Sequence, residues 1–151
     1  MRYSKVRDVA SPSRGHGDDA GIDFYVPNDF TPMDLEPNER VNIPSGIKVD
    51  IPPGYALIAF NKSGVATKHG LIAGACVIDS GYQGEIHLNM INTSDDYVEI
   101  LPGMKILQFI LLRVGLRPWK EVPEDALHSH LSGRGEGGFG STGCFEVVTK
   151  T

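Results

Sequence analysis

Three short segments of the chain hold side chains suited to handling a phosphorylated ligand. The segment RGEGGFGSTG (134–143) has glycine at five of its ten positions, with Arg134, Ser141 and Thr142 as donors for phosphate oxygens and Phe139 as a flat apolar face. Glycine at this density lets backbone amides come close to a ligand, as in a flap, but it is equally the composition of a flexible linker. The segment GACVIDSGYQG (74–84) reads as a β-hairpin with the carboxylate of Asp79 at its neck. Its backbone can pair with a planar base and Tyr82 can lie against a sugar, while an aspartate before Ser80-Gly81 can also simply cap backbone amides. In NKSGVATKHG (61–70) the amides of Ser63 and Gly64, following Lys62, can form an anion-binding nest, or Ser63 can serve only as a helix N-cap. Two further positions are conspicuous by type: Asp23 on the polar phase of one apolar alternation, and Gln108 interrupting the apolar run from Ile106 to Ile110.

Other chemistries find no support in the residues. Two cysteines, Cys76 and Cys144, and five scattered histidines give no zinc-ligand spacing. The P-loop spacing is absent, as is the Gly-x-Ser-x-Gly elbow of covalent hydrolases. With 19 acidic against 14 basic residues and a net charge of -5, a nucleic-acid backbone or an anionic membrane is not the expected partner, so any phosphate must be met locally. The start MRYSKVRDV lacks an apolar signal core, and no apolar run approaches a membrane span, so a soluble cytoplasmic protein is expected.

The elements that must carry these groups are short strands. Eighteen glycines and ten prolines in 151 residues interrupt the chain too often for long helices. Between the interruptions, period-two patterns recur: Ile22, Phe24 and Val26; Ile47, Val49 and Ile51; Ile86, Leu88 and Met90, the last set alternating with His87 and Asn89. Tyr55 to Phe60, Val98 to Leu101 and Lys105 to Val114 are further strand candidates, and Ser63 to His69 is the one place for a helical turn or two. An all-β sandwich or jelly roll follows. Residues 1–133 read as a single β domain and residues 134–151 as a glycine-rich flap and tail, in which Phe145, Val147 and Val148 suit a terminal strand.

In this order, DAGIDFYV (19–26), NKSGVATKHG (61–70), CVIDSGYQG (76–84), GMKILQ (103–108) and RGEGGFGSTG (134–143) resemble the five motifs of the trimeric dUTPase family. The resemblance implies a jelly-roll (β-clip type) homotrimer with interface active sites that hydrolyse dUTP to dUMP and pyrophosphate with magnesium. Carried over by position, Asp79 would activate the attacking water. Gly74, Cys76, Ile78 and Tyr82 would hold uracil and deoxyribose, with Phe139 closing over the base. Lys62, Ser63, Gly64, Gln108, Arg134, Ser141 and Thr142 would bind the phosphates, and Asp23 would meet magnesium through water. Three positions depart from the family's usual pattern: Lys62 replaces an arginine, which trades a bidentate fork for a point charge, Val65 replaces a leucine, and Cys76 stands where glycine is common. Two rival readings share the scaffold: a dCTP deaminase or bifunctional deaminase, for which Glu85 is the nearby candidate acid/base, and a nucleotide-binding trimer without catalysis.

Overall fold

The structure is a computed structural model and describes residues 1–138. Eleven strands are present among the described residues: β1 (Arg2–Lys5), β2 (Ile22–Phe24), β3 (Met33–Leu35), β4 (Arg40–Pro44), β5 (Ile47–Asp50), β6 (Tyr55–Asn61), β7 (Leu71–Ala73), β8 (Val77–Asp79), β9 (His87–Asn92), β10 (Val98–Ile100) and β11 (Leu107–Arg113). One helix, α1 (Ser63–His69), follows β6, and a 3₁₀ turn spans Glu124–Ala126. The all-β jelly-roll expectation holds. Among the described residues the chain divides into two units, Met1–Leu116 and a second that begins at Arg117.

Strands of the first unit form four small sheets, in the orders β1-β5, β10-β3, β2-β11-β6-β8 and β4-β9-β7, and every pairing is antiparallel. The longest ladder joins β6 to β11 over seven residue pairs, from Leu107 opposite Asn61 to Arg113 opposite Tyr55. Because side chains alternate along a strand, this register sends Leu57, Ala59, Leu107 and Phe109 inward, where all four are buried. Phe24 on β2 joins them, its ring centroid 4.4 Å from that of Phe109 at a tilted angle. The facing layer supplies Ile43, Leu71, Leu88 and Met90, and Leu35, Val98 and Ile100 complete the same cluster. Each such buried large side chain contributes about 1.5–3 kcal/mol relative to its exposed state.

Strands β1, β3, β4 and β7 were not legible in the sequence, and β8 was legible only as a limb of the 74–84 hairpin. They run to five residues at most, and β1 is exposed throughout, so partner strands rather than an apolar period bring them into sheets. The expectation of a β-hairpin over 74–84 is corrected: β8 pairs with β6, whereas β9, the strand after the turn, pairs with β4 and β7. Each limb satisfies its backbone on other strands, and only the Asp79–Tyr82 turn has a hairpin's form, closed by the Tyr82 amide on the Asp79 carbonyl at 3.0 Å. No helix among the described residues is long and apolar enough to cross a membrane.

One buried polar side chain ties the layers at the end of β9. Asn92 is fully buried; its Nδ2 donates to the carbonyls of Leu35 (2.9 Å) and Asp96 (2.8 Å), and its Oδ1 accepts from the Ser94 amide (2.9 Å) and hydroxyl (2.7 Å). Asn92→Ala orphans these groups together, and we expect it to cost about 2–4 kcal/mol of stability. Urea unfolding at fixed protein concentration checks this; an unchanged midpoint would show that water replaces the amide without loss.

Candidate functional site

Two polar clusters lie on the outer face of the sheet β2-β11-β6-β8. In an antiparallel ladder opposed residues share a face, so Asp23, Gln108 and Phe60 stand together at one end, and Leu112, Ala56 and Asp79 at the other. Gln108 and Asp79 are separated by four residues along β6 (56 to 60) and two strand spacings, roughly 13 Å by 10 Å.

At the Asp79 end a cleft of about 240 Å³ is lined by Asn42, Ala75, Cys76, Val77, Ile78, Asp79, Tyr82, Glu85, Ile86, His87 and Asn89. Cys76, Ile78 and Tyr82 share this lining with Asp79, and Gly74 lies beside it, its amide bonded to the Asn89 carbonyl at 3.1 Å. The Asp79 side chain is exposed and caps no backbone amide among the described residues, since its own carbonyl closes the turn. That leaves the carboxylate free to face a ligand, and the bland turn-capping role is not the one it plays. Asn42, His87 and Asn89 were not named as site residues from the sequence. His87 and Asn89 occupy the polar phase of the 86–90 alternation, which was a usable signal; nothing local marks Asn42.

Glu85 enters the same cleft with its carboxylate committed. Its Oε1 accepts from Arg7 Nε at 2.8 Å and from the Gly46 amide at 2.7 Å. Partial burial disfavours the charged form, but the hydrogen bonds from Arg7 and Gly46 and the charges of Arg7 and His87 outweigh it, so the carboxyl sits below its ordinary value. A group held ionised in this way is poorly suited to shuttle protons.

At the other end Asp23, only 7% exposed, is ion-paired through Oδ1 to Lys62, and Lys105 Nζ lies 3.5 Å from its Oδ2. Lys105, which the sequence reading passed over inside GMKILQ, also stacks 5.3 Å above the Tyr25 ring. Gln108 donates its amide to the Asn61 carbonyl at 2.8 Å and packs against Gly21, where a Cβ would stand 2.0 Å from Oε1. Only glycine leaves Gln108 this position. Helix α1 begins beside them with Lys62 at its N-cap and no side-chain cap, so Ser63 does not play the N-cap part and the amides at the helix start have no side-chain acceptor. Lys62, Ser63 and Gly64 thus follow directly on Asn61, whose carbonyl Gln108 holds, at one end of the sheet.

Between the clusters the same face is apolar and open. It carries Ile58, Ile110, Phe60, Leu112 and Val77, the last three 40, 40 and 65% exposed. Arg134 belongs to the second unit, where its Nε donates to the Gly137 carbonyl at 2.8 Å. Phe139, Ser141, Thr142 and the suggested terminal strand lie outside the described residues.

Comparison with known proteins locates this arrangement. The profile of the dUTPase family matches residues 7–143. A deoxyuridine 5'-triphosphate nucleotidohydrolase of Thermobifida fusca is 37% identical over 139 residues, covering 90% of this chain and 74% of the relative. One of Leifsonia xyli is 38% identical over 135 residues, covering 87% and 84%. Among solved structures, a point mutant of the Staphylococcus bacteriophage 80alpha dUTPase with dUpNHpp superposes with a TM-score of 0.82 at 26% identity, covering 94% of this chain and 97% of the other. A mutant of the dUTPase from phage phi11 of S. aureus, described as coordinating a structural Mg(II) ion, gives 0.71 at 25% identity, covering 82% and 96%.

The Arg7 contact carries a pH signature. A carboxyl whose pKa is lower folded than unfolded adds stability above the unfolded value and loses it as pH falls through the folded one. The stability difference between the wild type and Arg7→Ala should therefore be full at neutral pH and shrink once pH drops below the ordinary carboxylate range, about 4. Urea midpoints measured across that range test it; a difference independent of pH would mean that Arg7 acts by packing and not by charge.

Proposed function

The chain belongs to the dUTPase family, and on that premise we propose that it hydrolyses dUTP to dUMP and pyrophosphate, with Asp79 activating the attacking water. The observation that carries this reading is the free Asp79 carboxylate at the mouth of a cleft sized for a base and sugar, with an anion-binding end on the same sheet face. A general base must reach the proton that it takes, and an exposed carboxylate at the lip of the cleft meets that need. Water attacks the α-phosphorus, Asp79 takes the proton, and pyrophosphate leaves. Tyr82 lies against the deoxyribose, and the backbone around Gly74, Cys76 and Ile78 reads the uracil.

The separation of the clusters bears on how a complete site is assembled. Asp79 and Gln108 stand at opposite ends of one open sheet face, which suits a site shared between copies. A homotrimer in which the open apolar face of each copy packs on a neighbour brings the Lys62, Ser63, Gly64 and Gln108 end of one chain to the Asp79 cleft of another. Burial of Phe60, Val77 and Leu112 supplies the driving force. Arg134 and, beyond the described residues, Phe139, Ser141 and Thr142 then close over the nucleotide, excluding water.

Magnesium fits this site as the companion of the triphosphate. Among the described residues no group of three or more metal-binding side chains forms a cation cage, and both Asp23 oxygens face ammonium groups. Asp23 would meet the hydrated ion through water as Lys62 turns toward phosphate, and the ion would neutralise charge on the phosphate oxygens. The deaminase alternative loses its candidate acid/base, because Glu85 is held ionised by Arg7 and Gly46. The setting for this reading is the cytoplasm.

Pyrophosphate release in the presence of magnesium should be fast from dUTP and far slower from dTTP, dCTP or UTP. Asp79→Asn should keep dUTP binding within a few-fold while turnover falls at least about 100-fold. Binding without turnover in the wild type would favour the non-catalytic trimer, and substantial turnover by Asp79→Asn would remove the water-activating role.

A further inference from the structure

We propose that Arg7 and Glu85 are positioning residues that hold the Tyr82 ring and thereby set discrimination between deoxyribose and ribose. The inference rests on the reading that Tyr82 lies against the sugar. Rejecting ribose by shape requires a wall that does not yield, because a single added hydroxyl is small and a ring free to tilt would make room for it.

Tyr82 is 45% exposed, and an aromatic side chain on a turn with that exposure has no core to lock its rotamer. Two local contacts hold it. Its hydroxyl donates to the Glu85 carbonyl at 2.9 Å, and its ring lies so close over Gly84 that a Cβ there would stand 2.4 Å from Cζ. The ring is therefore only as fixed as the backbone of residues 84 and 85.

That backbone is anchored from far away in the chain. Arg7, 78 residues earlier, and the Gly46 amide, 39 residues earlier, both donate to Glu85 Oε1, and the Glu85 carbonyl also meets His87 Nδ1 at 3.0 Å. The anchors are joined to each other, since the Val6 amide donates to the Gly46 carbonyl at 2.8 Å. The next residue, Ile86, is buried, with its amide on the Ile47 carbonyl and its carbonyl accepting from Ser45, each at 2.9 Å. A charged contact between Arg7 and Glu85 thus ends at the tyrosine hydroxyl, through a residue whose carboxylate and carbonyl face the two partners separately.

The test compares kcat/KM for dUTP and UTP, read by pyrophosphate release, in Arg7→Ala, Arg7→Lys, Tyr82→Phe, Tyr82→Ala and the double variant Arg7→Ala/Tyr82→Phe, each checked for folding by circular dichroism. Arg7→Ala and Tyr82→Phe should each lower the dUTP-to-UTP ratio about fivefold, with Arg7→Lys recovering part of the loss. The double variant should lose no more than either single one, because both cut the same chain of contacts. Additive losses, or an unchanged ratio in Arg7→Ala while Tyr82→Phe lowers it, would overturn the proposal, and Tyr82→Phe keeps it testable should Arg7→Ala not fold. If even Tyr82→Ala leaves the ratio unchanged in an active enzyme, the sugar contact of Tyr82 fails and the positioning role fails with it; absence of dUTP hydrolysis in the wild type would instead overturn the function.

Discussion

The antiparallel register of β6 against β11 is the constraint on which the rest depends. Seven opposed pairs fix which side chains face the core and which face out, and a slip of one residue would exchange the two sets. With this register Leu57, Ala59, Leu107 and Phe109 are buried, and Gln108 and Phe60 emerge together on the outer face. Strands β2 and β8 pair on either side of this ladder, so Asp23 and Asp79 inherit their positions from it. Both polar clusters are thus outward readouts of one hydrogen-bonding pattern.

The same geometry explains why a fold with an ordinary core leaves a large apolar surface open. Of the outward residues between the clusters, Phe60, Val77 and Leu112 are exposed and Ile58 and Ile110 half-buried. A solvated face of a sandwich would normally alternate to polar residues at these positions. That it does not, with the Asp79 carboxylate and the Asp23–Lys62 cluster at its two margins, is what supports our proposal that assembly and catalysis meet on this face.

Charge is distributed with equal economy of parts. An acidic protein that must bind a polyanion concentrates cations locally, and here Lys62 and Lys105 lie against the buried Asp23, which keeps their charge balanced without substrate. Glu85 is treated in the opposite way: its Oε1 accepts from both Arg7 and the Gly46 amide, so that it serves as a structural joint. Two acidic residues of similar local sequence character therefore have different tasks from Asp79, which is exposed and uncommitted.

Local chemistry in the sequence was enough for the all-β class, for the helix from Ser63 to His69, and for the family, because glycine-rich and polar motifs keep their spacing whatever surrounds them. It also pointed to Asp79, Tyr82 and Cys76, which line one cleft. The pairing of β7 and β8 with different sheets, the commitment of Glu85 to Arg7, and the entry of Asn42 into the cleft were decided only in the tertiary structure. The physical reason is range: propensity and period act over a few residues, whereas these contacts close between residues tens of positions apart, and no local pattern specifies which distant backbone or charge will be there to meet them.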